Sequence, residues 1–197
     1  MSSAPSRSNV DPLDDALRAA VAAVCDLIVA VGASNSVVLI DGRSGAGKSS
    51  LGRRLVAQWP TRGRVQFVAL DDVYPGWDGL SAGADYARDA ILVPHAKGAV
   101  GVWQRWDWDR GERAESHAID PALPLIVEGA GVLTPTSAPL ADVRVWVDAP
   151  TASRKRRALD RDGETYRPHW DRWAVQEEQH LRDHDPVALA SLVIQTP

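Results

Sequence analysis

The sequence predicts an α/β fold, a five-stranded parallel sheet with helices packed on both faces. Three observations carry that reading. Short, branched apolar runs recur along the chain, each the length of a buried strand. Stretches with helical spacing alternate with those runs. A glycine-rich loop or an acid closes most of them, at the edge where open α/β sheets bind ligands.

The elements follow in order. Residues 1–11, rich in Ser and Pro, read as a disordered lead-in, and residues 12–197 as a single domain. Leu13, Leu17, Val21, Val24 and Ile28 share one face of an amphipathic helix over 12–33. Val37–Ile40 is the first strand, and the spacing of Leu51, Leu55 and Val56 predicts a helix over Ser50–Ala57. Val65–Leu70 is the second strand, ending at Asp71-Asp72. A polar, Trp-containing region from Val73 to about Asp120 follows, with short helices expected at Ala84–Leu92 and His95–Trp106. Pro124–Val127 and Val143–Val147 are the third and fourth strands, closed by Glu128 and Asp148. Helices are expected over Ala152–Asp160 and Asp171–Asp183, and a fifth strand at Leu192–Ile194.

Between the first strand and its helix, Gly42-Arg-Ser-Gly-Ala-Gly-Lys-Ser49 fits G-x-x-x-x-G-K-[ST], the phosphate-binding P-loop. Glycines 42, 45 and 47 let the backbone turn tightly and aim N–H groups at an anion. The candidate phosphate contacts are Gly42, Ser44, Gly45, Ala46, Gly47, Lys48, Ser49 and Ser50. Lys48 would place its charge on the β- and γ-phosphates, and the Ser49 hydroxyl would coordinate Mg²⁺. The motif predicts a protein that binds a nucleoside triphosphate with Mg²⁺; ATP is the expected cofactor, and the choice between ATP and GTP as donor stays open.

Bulk properties exclude several classes. A formal charge of −4 argues against a general nucleic-acid partner. The single Cys25 cannot form an internal disulfide and reads as a buried structural thiol, which suits a reducing, cytoplasmic setting. No signal-peptide pattern opens the chain, and the apolar stretch Ala19–Ala33 is broken by Asp26 and too short to span a bilayer. No membrane partner is expected, and whether the protein forms a homodimer stays open. His180 and His184 have i, i+4 spacing but no third ligand, so they read as exposed helix residues rather than a zinc site.

Phosphoryl transfer also needs metal ligands, a base near the attacking hydroxyl, and cations for developing charge. Asp71 ends the second strand and would face the γ-phosphate as the catalytic acid/base and a metal neighbour, with Asp72 capping the next turn. Glu128 closes an apolar strand beside the loop and is a candidate Mg²⁺ ligand. Arg154, Arg157 and Arg161 lie at i, i+3, i+7 on one helical face before Asp162-Gly163, the layout of a closing, Arg-rich lid. Arg157 and Arg161 are the candidates to stabilise the transferred group.

With those residues in view, the chain resembles the uridine kinase-like branch of the P-loop small-molecule kinases, related to phosphoribulokinase and pantothenate kinase. The resemblance runs over roughly residues 36–196. Asp71-Asp72-Val73-Tyr74 is similar to the family's Asp-x-x-Tyr, whose Asp acts as base and whose Tyr lines the acceptor site. Glu128-Gly129 matches its Glu-Gly, and Arg154–Asp162 its lid. Trp106-Asp107-Trp108-Asp109 resembles its aromatic-Asp segment, which implies that Trp106, Asp109 and Tyr74 help select the acceptor. The resemblance implies a P-loop NTPase three-layer sandwich with strand order 2-3-1-4-5. It also implies an ATP- and Mg²⁺-dependent kinase acting on a small-molecule hydroxyl. A nucleoside leads, then a nucleoside monophosphate, which would need cations such as Arg88, Arg105 and Arg110, then a sugar or vitamin-like alcohol. The competing reading is a non-catalytic nucleotide-binding regulator. The chain lacks the Asn-Lys-x-Asp element by which GTP switches read guanine.

Overall fold

The computed structural model describes residues 11–197. The predicted lead-in lies outside them except for Asp11, which is the N-cap of helix α1 (Pro12–Val31). Its carboxylate accepts the Leu13 amide at 3.0 Å. The helix stops two residues short of the expected Ala33 because Gly32 turns left-handed, at φ 68°.

Five parallel strands form the main sheet: β1 (Val37–Gly42), β2 (Gln66–Ala69), β5 (Leu125–Glu128), β6 (Val143–Asp148) and β7 (Leu192–Gln195). Their order is β2-β5-β1-β6-β7. Taken in chain sequence among the sheet strands, this is the expected 2-3-1-4-5. Strand β1 is central and buried along its whole length. Register pairs Ile40 with Glu128 on one side and with Val145 on the other. Alternate β1 residues therefore serve two cores. Val38 and Ile40 pack with Leu17, Val24 and Ile28 of α1 and with Leu51 and Leu55 of α2 (Lys48–Ala57). Val37 and Leu39 pack on the opposite face with Leu70, Tyr74, Ile91 and Trp173. Each fully buried Leu or Ile contributes roughly 1.5–3 kcal/mol, so two such layers fix the sheet far more firmly than the loops at its ends.

The opposite layer is built from α3 (Leu80–Ala87) with a π-helical turn Arg88–Leu92, the short α4 (Val93–Ala96), α5 (Thr151–Tyr166), α6 (Trp170–His184) and α7 (Pro186–Leu189). Helix α5 is broken at Gly163 (φ 56°, ψ −133°), as the Asp162-Gly163 pair predicts. Cys25 is only partly buried, against the expectation of a buried thiol. Burial still raises its pKa, and its sulfur lies 3.7 Å from the Gln58 carbonyl.

The main departure from the sequence reading is at His95–Trp106. The expected helix is replaced by α4, a left-handed Gly98 at φ 68°, and a β-hairpin of β3 (Gly101–Asp107) and β4 (Glu112–Ile119). The period over Gly101–Gln104 is two, with residues 101 and 103 buried and 102 and 104 exposed. Asp107 builds the turn: one carboxylate oxygen accepts the amides of Asp109 and Arg110, and its carbonyl accepts that of left-handed Gly111.

Candidate active site

The phosphate loop closes on itself through a hydrogen bond from the Ala46 amide to the Arg43 carbonyl, 3.1 Å. Gly45 has φ 77°, and a side chain there would run into the Arg154 carbonyl. Gly47 caps α2 without a side-chain hydrogen bond, so the first amides of that helix have no capping oxygen. The Lys48 ammonium donates to the Arg43 carbonyl at 3.2 Å and lies largely buried under the loop. Bare helix-end amides, a glycine cradle and a buried cation together fit a triphosphate.

Lys48, Ser49, Asp71, Glu128 and Arg161 line one recess at the carboxyl edge of the sheet. It opens into a cleft of about 620 Å³. Glu128 is 2 % exposed and forms no ion pair among the described residues. Burial raises its pKa, opposed mainly by the charge of Lys48. A buried, unpaired carboxylate beside the Ser49 hydroxyl fits a divalent cation. Because the folded state holds the Glu128 proton more tightly than the unfolded chain, its charge costs stability. That cost is absent where both states are protonated and grows as pH rises through the folded value. Glu128→Gln should therefore melt higher than wild type at about pH 8, the gain shrinking toward about pH 4. A lower melting temperature at about pH 8 would contradict this assignment.

The arginine row divides three ways. Arg154 is buried and donates to the Ala149 and Ser44 carbonyls, bracing the loop from behind. Arg157 donates to the Gly45 carbonyl at 2.8 Å and to Pro197 and Thr196, so it ties the loop to the C-terminus. It lines a recess together with Gly45, Gly47, Lys48, Ser49, Ser50 and Arg161, and does not line the cleft shared by Asp71 and Glu128. Arg161, oriented by Asp162 through two hydrogen bonds, is the member of the row that faces the cleft. Helical spacing placed them on one face; the loop and the C-terminus occupy the first two.

On the acceptor side, Asp71 and Asp72 sit in a single 3₁₀ turn, Leu70–Asp72, and both line the cleft. Loss of water contact, then the neighbouring charge of Asp71, raises the pKa of Asp72. The Trp108 indole donates to the Asp71 carbonyl at 2.8 Å, which docks the hairpin tip over the cleft together with Asp109. Trp106, expected in the acceptor site, does not line it. Its ring faces Arg113 of the paired strand, 5.7 Å from centroid to guanidinium carbon, because strand alternation at this bulged position turns it from the tip. The Tyr74 ring lines the cleft, but its hydroxyl is committed to the Ala130 carbonyl at 2.7 Å, and burial lifts its pKa well above normal.

No protein-family profile matches the chain, and no curated protein sequence matches it. Solved structures do. One is a protein provisionally named a uridine kinase from Bacillus stearothermophilus, at 18% identity and TM-score 0.66, covering 90% of this chain and 98% of that one. Another is a protein provisionally named a fructose transport system kinase from Silicibacter sp. TM1040, at 18% identity and TM-score 0.56, covering 88% and 98%. The fold is that of a P-loop kinase.

Within this P-loop kinase fold, two buried carboxylates escaped the sequence reading. Asp41, 1 % exposed, accepts the amides of Gly42, Gly131 and Leu133 and meets His180 Nε2 at 2.9 Å. It joins the start of the phosphate loop, the segment after β5 and α6. His180 is thus buried rather than exposed as expected, because α6 turns it inward to this carboxylate. Glu177 accepts the Ser44 amide at 2.6 Å and Arg43 Nε at 3.3 Å, with Arg154 3.8 Å away. Burying such charges costs several kcal/mol each, offset only by full hydrogen bonding. The signal was there: Asp41 interrupts an otherwise apolar strand end, and Glu177 and His180 share a helix face. A second cavity, about 380 Å³, opens beyond His180 between Arg88, Thr136 and His184, and contains no residue of the phosphate loop. No described helix is long and apolar enough to cross a membrane.

Proposed function

We propose that the protein is an ATP- and Mg²⁺-dependent phosphotransferase that moves the γ-phosphate to a hydroxyl of a small molecule, a nucleoside first among acceptors. The observation that carries this reading is the single recess shared by Lys48, Ser49, Asp71, Glu128 and Arg161, at the mouth of an aromatic-walled cleft. The backbone amides of Gly45–Ser50 and Lys48 would hold the triphosphate, and Ser49 with Glu128, and Asp71 beside them, would hold Mg²⁺. When bound, the metal neutralises charge on the phosphate oxygens. Asp71 accepts the proton of the acceptor hydroxyl as its oxygen bonds to the γ-phosphorus and the bond to ADP breaks. Arg161 meets the charge on the transferred group. Arg157 fixes the loop's position through the Gly45 carbonyl and shares the recess of Lys48, Ser49 and Arg161, where it would add positive charge beside the triphosphate. Trp108, exposed in the cleft and backed by Trp77 at 4.8 Å, gives a planar acceptor ring a surface to stack on.

The test is ADP release from ATP and Mg²⁺ across nucleosides, nucleoside monophosphates, sugars and vitamin-like alcohols. Stimulation by one class supports the kinase and names its acceptor. Tight ATP binding with no stimulation by any acceptor would replace this reading with a nucleotide-binding regulator.

A further inference from the structure

The charge of the cleft says more about the acceptor than its shape does. Five carboxylates line it, those of Asp71, Asp72, Asp109, Glu128 and Asp162, against the guanidiniums of Arg53 and Arg161. Asp162 is spent on Arg161. The other four form no ion pair among the described residues, although Glu128 is almost wholly buried. A metal on the triphosphate side would engage Glu128 and, through it, Asp71. Asp72 and Asp109 are left facing the acceptor, and Arg53 is the one cation on the wall without an ion pair among the described residues.

The same wall is aromatic. Trp77 lies between the stacked His169 ring (4.2 Å, 13°) and Trp108 (4.8 Å, 51°), with Trp173 edge-on at 6.3 Å. Trp77, Trp108 and Trp173 all line the cleft; Trp77 is covered by His169, Tyr166 and Trp108, whereas Trp108, 39% exposed, offers an electron-rich face to it. Two unpaired carboxylates beside such rings make a site for a cation, because charge and quadrupole attract it together. A phosphorylated acceptor would instead bring negative charge toward both acids. Arg88, Arg105 and Arg110 do not line the cleft; Arg88 is paired with Asp85 and Asp89, and Arg105, whose charge reaches Asp72 from outside, is paired with Glu115.

We infer that the acceptor is a hydroxyl-bearing cation: an alcohol or nucleoside with a quaternary or protonated nitrogen, held against the exposed Trp108 ring beside the carboxylates of Asp72 and Asp109. This rests on the kinase reading only for the fate of the hydroxyl, since binding can be measured without transfer.

The experiment is calorimetry on the full chain with Mg²⁺ and ADP present, so that the metal-binding carboxylates are engaged. Two matched pairs are titrated: choline against 3,3-dimethylbutan-1-ol, and 1-methylnicotinamide against nicotinamide. At least one cation should bind about tenfold or more tighter than its neutral partner. Asp109→Asn, at the exposed hairpin tip, should cut that preference several-fold without weakening the neutral compound. Equal affinity within both pairs, or no binding of either cation, overturns the inference. ADP release with an uncharged nucleoside would then leave the kinase reading standing. A cation preference without ADP release from any acceptor would keep the site and remove the kinase.

Discussion

Asp71→Asn is expected to lower phosphoryl transfer by roughly 10²–10⁴-fold while leaving ATP affinity nearly unchanged. The substitution removes the proton acceptor and one negative charge beside the proposed metal ligands Ser49 and Glu128, and breaks no hydrogen bond within the described residues. Asp71 is exposed to the cleft, and its backbone is fixed independently of its carboxylate by the 3₁₀ turn and the Trp108 indole on its carbonyl. An amide of the same shape cannot take the hydroxyl proton. Asp72 is the natural rival, since it lines the same cleft and its raised pKa makes it the more proton-hungry neighbour. In Asp71→Asn the repulsion that helps raise Asp72 is relieved, so Asp72 becomes a weaker base just when it would be needed. Single-turnover rates for Asp71→Asn and Asp72→Asn separate the two. Normal transfer in the first and loss in the second would move the base to Asp72.

The inner strands β1 and β5 were legible because they are buried along their whole length, so each reads as an unbroken apolar run ending in a loop or acid. Val37–Ile40 and Leu125–Val127 show no alternation, so their short length, branched residues and flanking loops, not a period, mark them as strands. The phosphate loop was legible for another reason: its glycine spacing is imposed by backbone geometry, as the Gly45 contact with Arg154 illustrates. The hairpin was not, because β4 is largely exposed and β3 only half buried, so packing leaves a weak imprint on residue choice. The division of labour among Arg154, Arg157 and Arg161 was hidden too. Helix spacing reports which face a side chain shares, but not that Gly45 and Thr196 occupy part of that face. Asp41 shows in the sequence only as an acid interrupting an apolar strand end; its partners, three backbone amides and His180, become visible in the fold.

Lys48→Ala should weaken ATP binding by on the order of 2–5 kcal/mol, at least about 30-fold in Kd. The size follows from where the ammonium sits. It is largely buried, its one protein partner is the Arg43 carbonyl, and the unpaired carboxylate of Glu128 feels its charge. Removing it takes away the positive charge beneath the loop and also lifts Glu128 further, so that any metal competes with a more tightly held proton. The loss should therefore be greater below neutral pH than above it, a dependence that simple shortening of the side chain would not produce. Calorimetric titration of ATP with Mg²⁺ at two pH values measures both effects. Unchanged affinity would remove the triphosphate from this loop, whereas a weakened affinity independent of pH would keep it there and detach Glu128 from the metal.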